Sequence, residues 1–196
     1  MSEDIGTNVS WTDTLEDYFR ITGEKSHSMS VMHKQCEALY SNRKIFIDLP
    51  VIIGSAIIAF LNAGSTSLFQ EKQQIASITL GTASLCMSIL NSVGTYFSWA
   101  KRAESHRISA LQYAQLYRFL KIELSLPREE RMSPHDLLKY TQNSYDRLQE
   151  IQPLLNRSII DQFKKKINTK QYEDIAKPEE TNGLERITVY GGKVHL

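Results

Sequence analysis

Two long runs without a formal charge constrain this chain more than any other part of its sequence. They cover residues 49–70 and 73–100, which are 22 and 28 residues long in a chain of 196. Charged residues elsewhere come every few positions, so the overall 23% of charged residues conceals the two runs. A helix that crosses a bilayer needs roughly 20 mainly apolar residues, because each adds about 1.5 Å. We therefore predict two membrane spans, at about residues 48–64 and 75–99.

The flanks of the two runs predict how the spans lie in the membrane. The second run ends in aromatic residues, among them Trp99, and Lys101 and Arg102 follow. Aromatic rings at the lipid headgroups, followed by cations, are typical of a membrane interface. Arg43 and Lys44 make the other outer flank basic as well, whereas the short connection carries one charge of each sign. Because basic flanks stay on the cytoplasmic side, both termini are predicted to be cytoplasmic.

A soluble bundle with two buried helices is the competing interpretation of the same runs. A soluble helix of this length normally carries charges along one face, and neither run does. The first 30 residues contain acidic residues and no apolar segment of the kind a cleavable signal peptide needs. The spans themselves would therefore direct the chain to a membrane, and we favour a transmembrane hairpin at residues 45–100.

Small and polar residues recur along the second span at alternating spacings of four and three. They are Ser77, Gly81, Ser84, Ser88, Asn91, Thr95 and Ser98. The first span offers Ser55 and Ala59 at the same spacing. We call these nine residues the polar seam, which a period of 3.5 residues places along one face of each helix. In lipid, small residues let backbones approach and polar residues bond between helices, so the polar seam predicts a helix contact.

Three interpretations of the polar seam remain open at this point. The seam residues of the two spans can pack against each other within one chain. It can instead join neighbouring subunits of a homo-oligomer. A ring of such seams can also line a water-filled pore with hydroxyl and amide groups.

Asp48 and Pro50 stand at the front of the first span and leave its start open. Asp48 can cap a helix that begins at Leu49, since Pro50 is tolerated in a first turn. The carboxylate would then lie at the interface near Arg43 or Lys44, where a charge costs far less than at the bilayer centre. If the helix instead continues from Arg43, Pro50 kinks it and Asp48 is a buried switch that faces the seam.

Outside the spans, apolar residues recur at helical spacing with charges opposite them. We predict amphipathic helices in residues 1–44 and a bundle of helices in residues 101–168. The tail, residues 169–196, is predicted to be flexible, with a β-hairpin at 187–196 that turns at its Gly-Gly pair. The predicted fold class is therefore all-α: a two-span hairpin that long amphipathic helices continue into a small cytoplasmic bundle.

Local signals predict where several of these helices begin and end. Thr12 or Thr14 is the expected cap of a short first helix, which precedes the helix that enters the first span. The long helix after the second span is predicted to be continuous with that span and to stop at Pro127. Ser133 followed by Pro134 predicts a further helix start.

The sequence shows no arrangement for catalysis or for holding a metal. The five histidines are scattered, without a ligand partner at helical spacing, and the two cysteines lie far apart. No phosphate-binding glycine loop and no nucleophile motif occurs. We predict no enzyme activity, no cofactor and no metal site. The net charge of +1, without a concentrated basic block, argues against nucleic acid as a partner.

Two segments resemble the SLATT family of two-span membrane proteins. "WAKRAESHRISALQYAQLYRFLKIELSL" begins at Trp99, and "SPHDLLKYTQNSYDRLQEIQPLLNRSIIDQFKKK" begins at Ser133. The resemblance covers about residues 29–166 and is strongest in residues 99–106 and 113–120. It implies a pore-forming or membrane-perturbing effector, of the kind used in bacterial conflict systems beside nucleotide-sensing partners. The family also occurs in large DNA viruses of eukaryotes, where a protein of the virion's internal membrane is implied.

Two functional hypotheses follow from these patterns. The leading one is a membrane protein that forms homo-oligomers through the polar seam and acts on a host membrane as a pore or disrupting effector. The alternative is a structural anchor that joins a larger assembly, such as a viral capsid, to its internal membrane. The lipid bilayer is a partner in both, and other proteins would bind the bundle or the tail.

Overall fold

The computed structural model describes residues 9–64, 69, 72–169, 174–182 and 187. Every regular element in this part of the chain is helical, which confirms the all-α class with two long apolar helices. The helices are α1 Asp13–Ala63, α2 Gln73–Phe97, α3 Trp99–Ser125, α4 Pro134–Ile151, α5 Arg157–Ile167 and α6 Glu179–Asn182. The β-hairpin predicted at residues 187–196 lies, apart from Ile187, outside the described residues. The chain divides into two compact units, a bundle unit of residues 1–36 and 105–196 and a hairpin unit of residues 37–104.

Helix α1 is a single element of 51 residues that contributes to both units. Thr12 caps it as predicted, since its hydroxyl oxygen accepts a bond from the Leu15 amide at 3.3 Å. The predicted separate first helix is wrong, because no helix-breaking sequence interrupts this stretch. Of the two alternatives for the first span, the start at Asp48 is wrong and the continuous helix is correct: α1 continues from Arg43 through Pro50. Pro50 removes one N–H only, and the remaining backbone pairs keep the helix intact.

Ser98 separates α2 from α3, although the sequence predicts one continuous helix there. Its φ of 48° places it in the left-handed region, which non-glycine residues rarely adopt. The Ser98 amide bonds to the carbonyls of Gly94 and Thr95 at 3.2 Å each, and the Arg102 amide bonds to the Ser98 carbonyl at 3.1 Å. The interruption is therefore confined to a single residue, with helical pairing on either side of it.

The bundle unit packs the first part of α1 with α3, α4 and α5 around one apolar core. The buried core side chains are Phe19, Met29, Met32 and Cys36 of α1, Ala110, Tyr113, Leu116 and Leu120 of α3, Leu137 and Leu148 of α4, and Ile159, Phe163 and Ile167 of α5. Ser133 caps α4 as predicted, because its hydroxyl oxygen accepts a bond from the Asp136 amide. Burial of these side chains stabilises the bundle by the hydrophobic effect.

Two further contacts tie the surface of the bundle unit together. Glu16 of α1 accepts bonds from Arg128 at 2.8 Å and from Arg131 at 2.6 Å, in the segment between α3 and α4. Residues 174–182, which the sequence places in a flexible tail, pack against the bundle: Pro178 and Thr181 are buried there. The Ala176 amide donates to Glu24 of α1 at 2.8 Å.

Candidate functional site

The two helices of the hairpin unit each have one less exposed face with alternating spacings of four and three. On α1 it consists of Ile47, Val51, Gly54, Ile58 and Leu61, and on α2 of Ala76, Leu80, Ala83, Met87, Leu90 and Gly94. We call these residues the contact face. The spacing is that of left-handed helix packing, in which side chains of one helix fit between those of the other.

Glycines make room for side chains of the other helix within the contact face. A Cβ atom at Gly54 would lie 2.8 Å from the Met87 methyl carbon, and one at Gly94 would lie 3.3 Å from a methyl carbon of Ile47. Small residues at these points are what helix association in lipid requires. Gly81, by contrast, has no atom within 4 Å of the position of a Cβ.

The polar seam lies directly beside the contact face, one residue further along α2, and it is exposed. Ser84 is half-buried, whereas the other eight seam residues are exposed: Ser77, Gly81, Ser88, Asn91, Thr95, Ser98, Ser55 and Ala59. Five of the nine seam residues, drawn from both helices, border the same groove. It is lined by Val51, Ser55, Ile58, Ala59, Asn62, Ser84, Met87, Ser88 and Asn91. The packing of the hairpin upon itself therefore leaves the polar seam available to a further partner.

Hydroxyl and amide groups in this groove differ in how many of their hydrogen-bond donors already have a partner. The Ser84 hydroxyl in the groove donates to the Leu80 carbonyl at 2.9 Å, and that of Thr95, further along the seam, donates to the Asn91 carbonyl at 3.0 Å. These hydroxyl groups satisfy their donors within their own helix and keep oxygen lone pairs for other donors. The Asn62 and Asn91 side chains each bring two donors and a carbonyl to the groove wall.

The rest of the hairpin surface is strongly apolar. Phe46, Phe60 and Ile75 are 78%, 72% and 65% exposed. Of the most apolar 18-residue stretch in each of the two long helices, 6% is buried within the structure. Both helices are thus long and apolar enough to cross a membrane, and their apolar side chains point outward.

The basic end of the hairpin carries the residues predicted at a membrane interface. Asp48 is half-exposed and pairs with Lys44 at 3.2 Å, so it is neither a helix cap nor a deeply buried charge. Arg43 lies over the Tyr40 ring at 5.8 Å and borders one groove with Trp99. Lys101 and Arg102 are exposed on the first turn of α3.

A second polar arrangement lies inside the bundle unit, where the sequence suggested none. His33 of α1 and His106 of α3 are both buried, and their Nδ1 atoms lie 2.8 Å apart. His33 Nε2 lies 3.1 Å from Oε1 of Gln152, and the Tyr113 hydroxyl donates to the same oxygen at 3.0 Å. The Tyr113 ring also stacks on the His33 ring, with centroids 5.7 Å apart.

The amide groups continue this arrangement toward Tyr145. Gln152 donates to Oε1 of Gln149, and Gln149 donates to the Tyr145 hydroxyl at 3.1 Å. Burial lowers the pKa of His33, which opposes protonation of the ring, although the bond to Gln152 acts in the other direction. Burial raises the pKa of the Cys36 thiol, one helical turn away, so this cysteine stays an unreactive thiol. We call His33, His106, Tyr113, Gln149 and Gln152 the histidine network.

Sequence reasoning missed the histidine network because its two rings come from positions 73 residues apart. One signal was present: His106 falls between Ala103 and Ala110 on the buried side of α3, at the spacing of the apolar stripe. A histidine at such a position requires a polar partner inside the core. Among the described residues, no group of three or more metal-ligating side chains occurs.

Comparison with known proteins gives no match: no family model, no curated protein and no solved structure aligns significantly with this chain. The resemblance to the SLATT family therefore stays a prediction from the sequence.

Proposed function

We propose that this chain is an integral membrane protein whose copies associate through the polar seam and make the bilayer permeable. The outward apolar surface of α1 and α2 supports the first half of the proposal. In water, that surface would have to be covered by a partner, whereas lipid solvates it directly. The paired Lys44 and Asp48, with Trp99 at the same end of the hairpin, then lie at the headgroups.

The exposed polar seam is the observation that carries the second half. Asn91 lies eight residues before Trp99, about 12 Å deeper along the helix. An amide at such a depth needs hydrogen-bond partners, because the bilayer core contains no water to supply them. A second copy supplies partners through its own seam, and a ring of copies supplies them together with enclosed water.

Permeabilisation extends this association to an activity. A groove lined by serine hydroxyls and asparagine amides presents donors and acceptors that solvate ions and water, whereas the outer face presents hydrocarbon to lipid. The resemblance to the SLATT family implies the same activity. It motivates the proposal but gives no information on the structure of the polar seam. The association would bring polar seams to the centre of the assembly and leave the apolar face outside.

Membrane integration is tested first. After expression, the protein is expected to stay in the membrane pellet on carbonate extraction, because two apolar spans hold it by burial in hydrocarbon. Release into the supernatant would contradict the proposal and favour a soluble helical protein.

Association and permeability are tested with two leucine variants on different sides of α2. Ser88 belongs to the polar seam, while Thr82 is exposed on another side of the helix, about 120° around the axis, and donates to the Ile78 carbonyl. Ser88→Leu is expected to reduce the oligomer in detergent and the leakage of dye-loaded vesicles at least about tenfold, since a loss of about 1.4 kcal/mol suffices. Thr82→Leu also replaces a hydroxyl-bearing side chain by leucine and is expected to leave both unchanged.

The possible outcomes separate the functional hypotheses. Equal losses in both variants would contradict a specific role of the seam. A monomeric wild-type protein would contradict the proposal as a whole. An oligomer that leaves vesicles impermeable would favour the structural alternative, in which the protein anchors a larger assembly to a membrane.

A further inference from the structure

We propose that the hairpin unit binds an anionic phospholipid in a groove at its basic end. The groove is lined by Leu39, Asn42, Arg43, Phe46 and Ile47 of α1 and by Trp99 of α3, and we call it the interfacial groove. All six residues belong to the hairpin unit. The proposal rests on the membrane integration proposed above, but it depends neither on permeability nor on association through the polar seam.

The α1 side of the interfacial groove is one face of that helix. Its five residues follow one another at spacings of three, one, three and one, which places them on the same side of a helix. Leu39 and Ile47 are half-buried, whereas Asn42, Arg43 and Phe46 are exposed. This side of the groove is therefore open to its surroundings, and three of its five side chains are hydrocarbon.

The α3 side of the groove is the indole ring of Trp99. This side chain is half-buried, and the Phe97 ring stacks on it with centroids 5.1 Å apart and planes 8° apart. Stacking restricts the orientation of the indole, so the ring has a defined position at the groove. Tryptophan favours the headgroup level of a bilayer because it combines an apolar body with a polar N–H.

Arg43 brings a positive charge to this largely apolar groove. Its guanidinium carbon lies 5.8 Å from the centre of the buried Tyr40 ring, which holds one side of the group by a cation–π interaction. The Arg43 side chain is exposed, and a guanidinium has five N–H donors and no acceptor. Such a planar fork fits a phosphate group, because two of its N–H groups can bind two phosphate oxygens.

Charge and hydrocarbon together indicate an anionic phospholipid as the ligand. Arg43 favours a headgroup phosphate, and Phe46 and Trp99 favour the top of an acyl chain. A free phosphate would leave the apolar walls uncovered. A zwitterionic headgroup carries its own cation, which competes with Arg43 for the phosphate. The groove lies where α1 enters its apolar run, so the phosphate and the chain of a neighbouring lipid meet it at matching depths.

Other charges at the same end of the hairpin make it possible to test this site against a diffuse attraction. Lys44 pairs with Asp48 at 3.2 Å, so these two charges offset each other. Arg102 is exposed on the first turn of α3 and does not line the interfacial groove. Basic residues near an anionic membrane surface attract it wherever they lie. A built site, by contrast, requires Arg43 and not Arg102.

The fluorescence of Trp99 reports which lipid occupies the groove. The chain has two tryptophans, so Trp11→Phe leaves Trp99 as the single reporter. The full-length variant is placed in phosphatidylcholine vesicles with a small fraction of either phosphatidylglycerol or phosphatidylcholine that carries bromine near the top of an acyl chain, where bromine quenches indole on contact. Brominated phosphatidylglycerol is expected to quench at least about twofold more. A preference of about fivefold at the groove corresponds to about 1 kcal/mol for one basic residue.

Two arginine variants in this background test the role of the groove. Arg43→Gln is expected to abolish the difference in quenching between the two lipids. Arg102→Gln removes the same charge outside the groove and is expected to keep most of the difference. An equal loss in both variants would overturn the proposal in favour of a diffuse attraction. Unlabelled phosphatidylglycerol is expected to relieve the quenching. Relief by the same concentration of soluble glycerol phosphate would overturn a lipid as the ligand.

The remaining outcomes distinguish this proposal from the proposed function. Equal quenching of Trp99 by the two brominated lipids would overturn the anionic lipid site and leave membrane integration intact. If neither lipid quenches Trp99 in a protein that resists carbonate extraction, the groove is covered by protein, such as a second copy, and the proposal is overturned as well. If neither lipid quenches and carbonate releases the protein, both membrane integration and the lipid site are contradicted.

Discussion

At the scale of single residues, Ser98 is the place where the backbone departs from ordinary helix geometry. A residue with a side chain in the left-handed region costs roughly 1 kcal/mol, because its Cβ crowds the following carbonyl. Ser98 also donates from its hydroxyl to the Thr95 carbonyl at 2.9 Å, which helps to hold the turn. Its backbone strain and its hydrogen bond can be separated by substitution.

Ser98→Gly is expected to stabilise the detergent-solubilised protein by about 0.5–1 kcal/mol, since glycine adopts a φ of 48° without steric penalty. Ser98→Ala keeps the Cβ and removes the hydroxyl, so it is expected to destabilise the protein slightly. The measurement is the free energy of unfolding of the three proteins under one set of conditions. An equal stabilisation by glycine and alanine would show that the backbone conformation is not the cause.

The chemistry of Asp48 and Pro50 was only partly predictable from their positions in the sequence. Both residues are compatible with a helix start, which the structure does not have, whereas the expected neighbourhood of Asp48 and Lys44 is present, at 3.2 Å. A proline near the front of an apolar run is tolerated inside a helix when the flanking turns are already formed. Local residue preferences could not decide this, because the amphipathic helix before the run extends into it.

At the scale of secondary structure, the hairpin unit has two neighbouring surfaces that differ in burial. The contact face joins α1 to α2 within one chain, and the polar seam beside it is the surface through which we propose that copies associate. The spacing of residues in the sequence revealed the polar seam, but it could not tell which face of α2 meets α1. That choice depends on how large apolar side chains such as Leu80 and Met87 interlock with the partner helix.

Two glycine substitutions are expected to distinguish the role of the contact face from that of the polar seam. Gly54→Leu would press a side chain against Met87 and push the helices of one hairpin apart, so it is expected to destabilise the monomer by about 1–3 kcal/mol. Gly81→Leu meets open space within the hairpin, so the monomer is expected to keep its stability while the oligomer weakens. Thermal unfolding in detergent measures the first effect and subunit counting measures the second. Destabilisation of the monomer by Gly81→Leu would contradict this assignment of faces.

At the scale of the whole molecule, the sequence predicted the helical class and two apolar helices from charge-free length alone. It did not predict the histidine network, the break at Ser98 or the packing of residues 174–182. All three depend on tertiary contacts or on single backbone angles. Thr181 is a polar residue that the sequence alone would place on the surface. It is buried because Pro178 and the rest of the segment pack against the bundle unit.

The stability of the bundle unit is expected to fall in acid because Glu16 loses its charge. Hydrogen bonds from Arg128 and Arg131 lower the pKa of Glu16 from 4.5 to about 2. A lowered carboxyl pKa provides stability above about pH 4.5, and this stability is lost as the pH falls toward 2. Glu16→Gln is therefore expected to destabilise the bundle unit by about 1 kcal/mol at pH 7 and to reduce its further loss between pH 4.5 and 2.

Trp11 fluorescence during urea unfolding measures this effect, since the Trp11 ring lies 5.0 Å from the Arg131 guanidinium. Glu129→Gln is the control, because it removes an exposed carboxylate from the same connecting segment. An acid-induced loss in Glu16→Gln as large as in the wild-type protein would show that other carboxylates are responsible.

The two parts of the bundle unit are separated in the sequence by the hairpin unit, and this affects folding during synthesis. The 68 residues of the hairpin unit stand between residues 1–36 and the helices that cover them. At about 5–20 residues per second, a ribosome takes roughly 3–14 s to synthesise that segment. Throughout this interval Phe19, Met29 and Met32 have emerged without the side chains of α3 that bury them. We therefore expect these apolar residues to stay exposed on the nascent chain until α3 has been synthesised.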